Sequence, residues 1–236
     1  MNIYGYEHEE DLKPQLKKTG TLTLGMVLSI ATLVLYMLYI AFYSTQSPFN
    51  INYGLSTGIT AVIGISYIGV IISFIPYLSN FNMQSIKTIA YVIVILHIIS
   101  VLMKIGFFAL HKAMEDSMMS VSTWAQMTNA IYMIINLIFS VVSILFGGMM
   151  IANKSDFVGG IRFLGGVIIA TTLSKMFIYI FQTFALPYII MGMENNEGVA
   201  SYYSILSSVS MVMNMCVIAT YLYVFFKARQ YSSANR

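Results

Sequence analysis

Charged residues are scarce in this chain, and their scarcity excludes an ordinary water-soluble domain. Only 9% of the 236 residues are Asp, Glu, Lys or Arg, whereas soluble domains carry roughly 25%. Hydrophobic residues make up 58% of the chain, and the mean hydropathy is +0.78. So little charge cannot cover a protein surface in water, but a lipid solvent removes that need. The composition therefore predicts an integral membrane protein.

Cysteine, proline and clusters of basic residues are also rare, and the lack of each argues against one structural or functional feature. The single cysteine, Cys216, excludes an intramolecular disulfide. Four prolines leave no room for a proline-rich linker. The net charge of +3 comes without a basic patch, which argues against nucleic acid as a partner. The first twenty residues are polar and acidic, so the first apolar block is interpreted as a retained span and not as a secretory signal.

The motifs of common catalytic and metal sites are absent from the sequence. There is no His-Glu-x-x-His, no phosphate-binding glycine loop and no Gly-x-Ser-x-Gly. No group of Cys, His and acidic residues has the spacing of metal ligands. We therefore expect no enzyme activity, no metal and no cofactor. An enzyme acting on lipid is a weaker alternative, because the apolar blocks contain no carboxylate and no nucleophile–base pair.

Six apolar blocks are long enough to cross a bilayer, which takes about 20 helical residues. They run from about 21–43, 55–77, 88–110, 127–151, 163–190 and 205–226. Pro76 and Pro187 lie near the ends of the second and fifth blocks, where a proline ends or bends a helix. The sequence predicts an all-α integral membrane bundle of six transmembrane helices. A tail of residues 1–20 and a tail of residues 227–236 flank one membrane domain, 21–226.

The distribution of Lys and Arg predicts the orientation of this bundle. Connections on one side, together with the two tails, carry nine cations, whereas the opposite connections carry only Lys112. Because cytoplasmic loops are enriched in Lys and Arg, both termini are predicted to lie on the cytoplasmic side of a cell membrane. The nine cations are Lys13, Lys17, Lys18, Lys87, Lys154, Arg162, Lys227, Arg229 and Arg236.

Aromatic and small residues add two predictions about the spans. Aromatic residues near block ends are expected to anchor in the membrane interface, and small residues four positions apart are expected to let helices approach closely. The aromatic set is Phe42, Tyr43, Tyr77, Trp124, Tyr188, Tyr202, Tyr203, Phe225 and Phe226. The small pairs are Gly25 with Ser29, Thr60 with Gly64, Gly69 with Ser73, and Gly166 with Ala170.

Polar residues recur at helical spacing in spans three to six, so each span has one polar face. We expect these faces to turn away from lipid, because hydrocarbon offers polar groups no partners. They form either a polar pocket or pathway, or hydrogen bonds that only hold the helices together. The faces are His97, Ser100, Lys104 and His111; Asn129, Tyr132, Asn136, Ser140 and Ser143; Thr171, Lys175, Tyr179 and Gln182; and Ser207, Ser210, Asn214 and Tyr221.

Two lysines inside the spans are the strongest candidates for residues of a functional site. A cation at the bilayer centre costs at least about 2.5–3.5 kcal/mol on insertion scales. Lys104 lies near the outer surface, where its stem could snorkel to the headgroups, whereas Lys175 lies nearer the middle. No Asp or Glu occurs inside a predicted span. Backbone carbonyls, Asn or Tyr oxygens, lipid phosphate, an anionic substrate or an acid on another subunit remain as partners.

A faint pattern shared by spans one, three and five suggests an internal repeat of three hairpins, each of about 70 residues. Ser100, Leu102 and Lys104 precede aromatics in the third span, and Thr171, Leu173 and Lys175 precede aromatics in the fifth, 71 positions later. The first span has Ala31, Leu33 and Leu35 at this spacing, without the cation. Repeats are common in membrane proteins that move substrates. Apolar helices also resemble one another by composition alone, which is the plainer interpretation.

The leading functional hypothesis is a small transporter-like or channel-like bundle with a polar interior on spans three to six. Its anion-binding or substrate-binding residues are predicted to be Lys175, Lys104, His97, Gln182, Tyr179, Asn136 and Asn214. The alternative is a non-catalytic accessory or immunity-type protein that binds another membrane protein or forms a homo-oligomer. Six spans alone do not decide between these functions.

Overall fold

The computed structural model describes residues 19–45, 53–80, 83–114, 121–153, 160–185 and 196–234, and this part of the chain is helical almost throughout. The helices are α1 (Thr19–Thr45), α2 (Tyr53–Asn80), α3 (Gln84–Met114), α4 (Val121–Ala152), α5 (Ile161–Ile180) and α6 (Asn196–Ala234). A turn of π-helix, Phe181–Ala185, continues α5. Each helix contributes an apolar stretch of 23 to 27 residues that is long enough to cross a membrane. The prediction of six helices of spanning length and composition is confirmed.

Several helices continue beyond the ends that the apolar blocks predict. Pro76 does not end its helix, because α2 continues to Asn80. Proline is tolerated where neighbouring helices pack around the weakened turn, and Phe74, Tyr77 and Leu78 beside it are buried. The last helix exceeds its predicted 205–226 span at both ends, since apolarity marks the lipid-facing length and not the helix end. Pro187 lies outside the described residues.

The six helices form an antiparallel ring. Each helix packs against its neighbours in sequence, and α1 packs against α6 to close the ring. The start of α1 meets the end of α6 where Gly25 faces Phe225, and the end of α1 meets the start of α2 where the Tyr39 hydroxyl and Ser56 Oγ are 2.8 Å apart. We call the end of the ring where α1 begins the termini end, and the opposite end the distal end.

The buried core lies in the termini half of the ring. It joins the first turns of α1, α3 and α5 to the last turns of α2, α4 and α6. Aromatic rings of α2 and α6 meet inside it, with Phe74 5.3 Å from Tyr221 and 6.1 Å from Phe225 between ring centroids. Phe74 also stacks on Tyr77 at 5.3 Å. These four rings and Tyr67, which contacts Tyr221 at 6.3 Å, form what we call the aromatic column.

The distal half is open on the side of α3 to α6. Where burial is described, the last buried residues of α3 and α5 in the distal direction are Val101 and Ile168. The first buried residues of α4 and α6 are Ser143 and Val217. Beyond these positions the inward faces of the four helices are half-buried or exposed. The inward faces of these four helices are therefore closely packed toward the termini end and less closely packed toward the distal end.

Close helix contacts in the closed half depend on glycine. A Cβ added to Gly147 of α4 would lie 2.6 Å from the Gly165 carbonyl oxygen of α5, and one on Gly69 would lie 2.9 Å from Leu28 Cδ1. Three predicted small pairs lie at such contacts, with Gly25 against Phe225, Gly64 against Val101 and Gly69 against Leu28. The pair Gly166 and Ala170 is wrong. Nothing lies within 4 Å of a Cβ built on Gly166, and Ala170 is exposed.

Two predicted interface anchors are core residues. Tyr77 and Phe225 are 1% and 0% exposed and belong to the aromatic column, so their rings are removed from the membrane surface. Phe226 is 48% exposed and Phe42 is half-buried, and interface anchoring by these two rings stays a prediction. The side chains of Tyr43, Trp124, Tyr188, Tyr202 and Tyr203 lie outside the described residues.

Candidate functional site

Lys104 lies on the inward face of α3 and is nevertheless exposed. At 100° per residue, Lys104 shares a face with the buried Ile86 and Ile93 and with His97. The lipid-facing side of α3 carries Ile95 and Leu102, which are 56% and 62% exposed. The Lys104 side chain therefore lies on the inward side of α3, opposite the exposed apolar residues Ile95 and Leu102.

Asn136 of α4, like Lys104, lies on an inward helix face and is nevertheless exposed. It shares a face with Tyr132, Phe139 and the buried Ser143, and Phe139 and Tyr132 both contact α3. The opposite face of α4 is purely apolar and exposed, with Leu137 at 56% and Ile134, Val141 and Leu145 similar. Asn136 is exposed, although it lies on the side of the helix away from that apolar face. Its amide therefore lines the same interior space as Lys104.

Lys175 and Asn214 form a direct hydrogen bond between α5 and α6. The Nζ of Lys175 donates to Oδ1 of Asn214, and both residues are half-buried. Lys175 lies on the face of α5 that carries the buried Ile161, Leu164 and Ile168, and it is about 21 Å along the helix from Ile161. The amide oxygen is one of the partners that the sequence left open for this cation. Two further N–H donors of Lys175 and the Asn214 amino group remain for other partners.

Tyr179 and Gln182 lie beyond Lys175 on the same side of the helix. Tyr179 is half-buried one turn further on, and the π-helical turn holds Gln182, which is half-buried as well. A π-turn shifts the register of the residues that follow it, and such turns are frequent at functional sites. These two side chains extend the polar face of α5 toward the distal end.

His97 lies at the bottom of this space. Its ring is edge-on to Tyr67 of α2 and to Phe139 of α4, with 4.6 Å between ring centroids in each case. Its Nε2 is fully buried and has no hydrogen-bond partner among the described residues. A buried polar atom without a partner costs about 1–3 kcal/mol.

We call this space the distal vestibule. Its floor is His97 with Tyr67 and Phe139, and its walls carry the polar side chains from four helices: Lys104, Asn136, Lys175, Tyr179, Gln182 and Asn214. All seven predicted site residues are thus on inward faces. The side chains of His111 and Asn129, which share these polar faces, lie outside the described residues.

The charged side chains among the described wall residues of the vestibule are both lysines, Lys104 and Lys175. None of the six spanning stretches contains Asp or Glu. In the part of the chain that the structure describes, no three His, Cys, Asp or Glu residues lie together in a way that could hold a metal ion. Cations with amide and hydroxyl donors are the groups that bind oxyanions in proteins.

Sequence reasoning missed Tyr67 and Phe139, which frame His97. Both rings sit in apolar stretches where an aromatic residue is equally common on a lipid-facing side, so no signal in the sequence marks them. Thr171 and Ser140 were assigned to polar faces, but their hydroxyls donate to carbonyls of their own helices, Val167 O at 2.8 Å and Asn136 O at 2.7 Å. These hydroxyls are satisfied locally.

Comparison with protein-family models, with curated proteins and with solved structures gave no match to this chain. The arrangement of the vestibule is consequently the basis for assigning a function.

Proposed function

We propose that this protein is a transporter-like or channel-like membrane protein whose distal vestibule binds an oxyanion. The single observation that supports it most strongly is the pair of inward-facing lysines, Lys175 and Lys104, on spanning stretches that contain no Asp or Glu. A cation held in the membrane without a counterion is unfavourable, and residues of this kind mark substrate or ion pathways. An anion between the two lysines would neutralise that charge.

The donors around Lys175 suit a phosphate, sulfate or carboxylate group. The Lys175 ammonium is placed by its hydrogen bond to Asn214, and the Asn214 amino group lies beside it with free N–H donors. Lys104 of α3 and Asn136 of α4 present further donors from the inward faces of the adjoining helices. Charge-assisted hydrogen bonds of this type are roughly twice as strong as neutral ones.

The proposal includes an orientation in the cell membrane. The nine cations of the termini side and the single Lys112 of the distal side favour cytoplasmic termini. The vestibule then opens toward the outside, and the aromatic column closes the cytoplasmic side. An anion would arrive from outside and descend past Lys104 to Lys175.

Calorimetric titration of the purified protein with inorganic phosphate and with sulfate tests the binding site. Lys175→Leu is expected to weaken binding of at least one of these probes tenfold or more, because it removes the charge and the hydrogen bond to Asn214. Lys112→Leu is the matched control. Lys112 is exposed, lies two turns beyond Lys104 on the same helix and is outside the spanning stretch, so its loss is expected to change the affinity less than twofold.

Two results would contradict the binding site. One is that the unsubstituted protein binds neither probe, and the other is that the two lysine variants bind equally well. Co-purification of a stoichiometric membrane partner, with loss of function from substitutions in the distal connections but not from Lys175→Leu, would favour the accessory or immunity-type function instead.

A further inference from the structure

His97 occupies the boundary between the two halves of the ring. On its distal side lie the vestibule walls with Lys104 and Asn136, and on its termini side the buried Ser143 and the aromatic column begin. Tyr67 touches both His97 and Tyr221, so the imidazole is in continuous ring contact with the aromatic column of the closed half. Phe139 holds the other edge of the imidazole.

The surroundings of His97 do not satisfy its polar atom. Its two neighbouring rings offer packing surface, and Nε2 lacks a hydrogen-bond partner among the described residues. A histidine that served packing alone would lose nothing by being phenylalanine in this slot. Within the described part of the chain, the buried Nε2 is left without a partner at the base of a region whose walls carry Lys175 and Lys104.

We infer that His97 is the gate of the distal vestibule: its ring closes the floor in this structure, and an oxyanion held at Lys175 opens the floor by giving Nε2 a hydrogen-bond partner. The inference rests on the proposed function for its anion and deepens it. An Nε2–H group donates one hydrogen bond, which the two aromatic neighbours cannot accept well and an oxyanion can. Turning toward the anion takes the imidazole out of the slot between Tyr67 and Phe139.

A cysteine reporter below the floor tests the barrier directly. Ser143→Cys is a conservative change at a position that is 5% exposed, one helical turn past Phe139 on the termini side. In a Cys216→Ser background, proteoliposomes are treated on both sides with the impermeant anionic thiol reagent sulfonatoethyl methanethiosulfonate. The reporter is expected to be protected in the His97 protein and labelled at least tenfold faster in His97→Ala. Phe139→Ala, which removes the other wall of the slot, is expected to act in the same direction.

The nitrogen is tested by comparing His97 with His97→Phe, which keeps a ring of similar shape. Saturating inorganic phosphate is expected to raise the labelling rate of the reporter several-fold in the His97 protein and to leave it unchanged in His97→Phe. Equal labelling with and without the histidine ring overturns the barrier. A missing phosphate effect in the His97 protein, or an equal effect in His97→Phe, overturns the opening step.

Failure of the gate and failure of the proposed function give different results. The labelling of His97→Ala requires no bound anion, so it reports on the floor even if calorimetry finds no phosphate binding. Binding that depends on Lys175 without any change in reporter labelling keeps the proposed function and removes the gate.

Discussion

The Nζ of Lys175 on α5 donates a hydrogen bond to Oδ1 of Asn214 on α6, and this contact joins the two helices on the distal side of the buried Ile168 and Val217. The pair therefore marks the level at which the ring changes from closed to open. It also gives the most central cation of the sequence a neutral partner and leaves its charge uncompensated. That combination is the physical basis of the oxyanion site.

Replacing Asn214 tests how much its hydrogen bond with Lys175 contributes to the free energy of unfolding. Asn214→Leu is expected to lower the free energy of unfolding by about 1–2 kcal/mol, because Lys175 then stays half-buried without its acceptor. In a Lys175→Leu background the same change is expected to have almost no effect. Unfolding in detergent of the four proteins of this double-mutant cycle measures the coupling. Equal effects of Asn214→Leu in both backgrounds would show that the contact contributes nothing.

The opening of the vestibule predicts different solvent access for two adjacent residues of α4. Asn136 and Leu137 are both exposed, but Asn136 is on the inward face and Leu137 on the lipid-facing side. In a Cys216→Ser background, Asn136→Cys is expected to react with the impermeant thiol reagent at least tenfold faster than Leu137→Cys. The measurement is the labelling rate in proteoliposomes. Comparable rates at the two positions would mean that the inward face of α4 is not open to water.

A pair of adjacent glycines tests the tight contact between α4 and α5. Gly147→Ala is expected to destabilise the protein by about 1–3 kcal/mol, since its Cβ would lie 2.6 Å from the Gly165 carbonyl oxygen, and backbone cannot move aside cheaply. Gly148→Ala meets nothing within 4 Å and is expected to be neutral or slightly stabilising. Thermal unfolding in detergent compares them. A Gly147→Ala protein as stable as the Gly148→Ala protein would contradict the close approach.

The orientation is tested by epitope tags at the two ends. In intact cells, both tags are expected to be protected from external protease, because the termini side carries nine cations against one. A tag inserted in the 46–52 connection is the positive control and is expected to be cleaved. Cleavage of only one terminal tag would place the two ends on opposite sides of the membrane and imply an odd number of spans.

The six helices could be predicted from sequence because lipid selects for one property, a continuous apolar length. Their ends were harder to predict. The polar last turns of α6 around Lys227 and Arg229 stay helical outside the apolar stretch, and Pro76 is accommodated because its neighbours Phe74 and Tyr77 pack against other helices. A hydropathy profile predicts neither the helical polar turns of α6 nor the continuation of α2 through Pro76.

The polar faces were also predictable one helix at a time. Helix α4 is the clearest case, since Tyr132, Asn136 and Ser143 are separated from the apolar Ile134 and Leu137 by helical periodicity alone. Which faces meet could not be predicted, because both the lipid-facing sides and the core are apolar. The contact between Lys175 and Asn214 therefore needed the ring order of the helices, as did the placement of Tyr67 and Phe139 around His97. The repeat that relates Lys104 to Lys175 stays a prediction.

Closure of the ring by α1 and α6 makes the order of the helices cyclic, so the chain can be rewired without changing which helices touch. A linker from the end of α6 at Ala234 to the start of α1 at Thr19, combined with a new break between Asn80 and Gln84, gives a circular permutant that begins with α3 and ends with α2. Both new ends fall on the same face of the membrane as the original ones. We expect this permutant to insert with unchanged sidedness and to retain the native packing of every neighbouring pair.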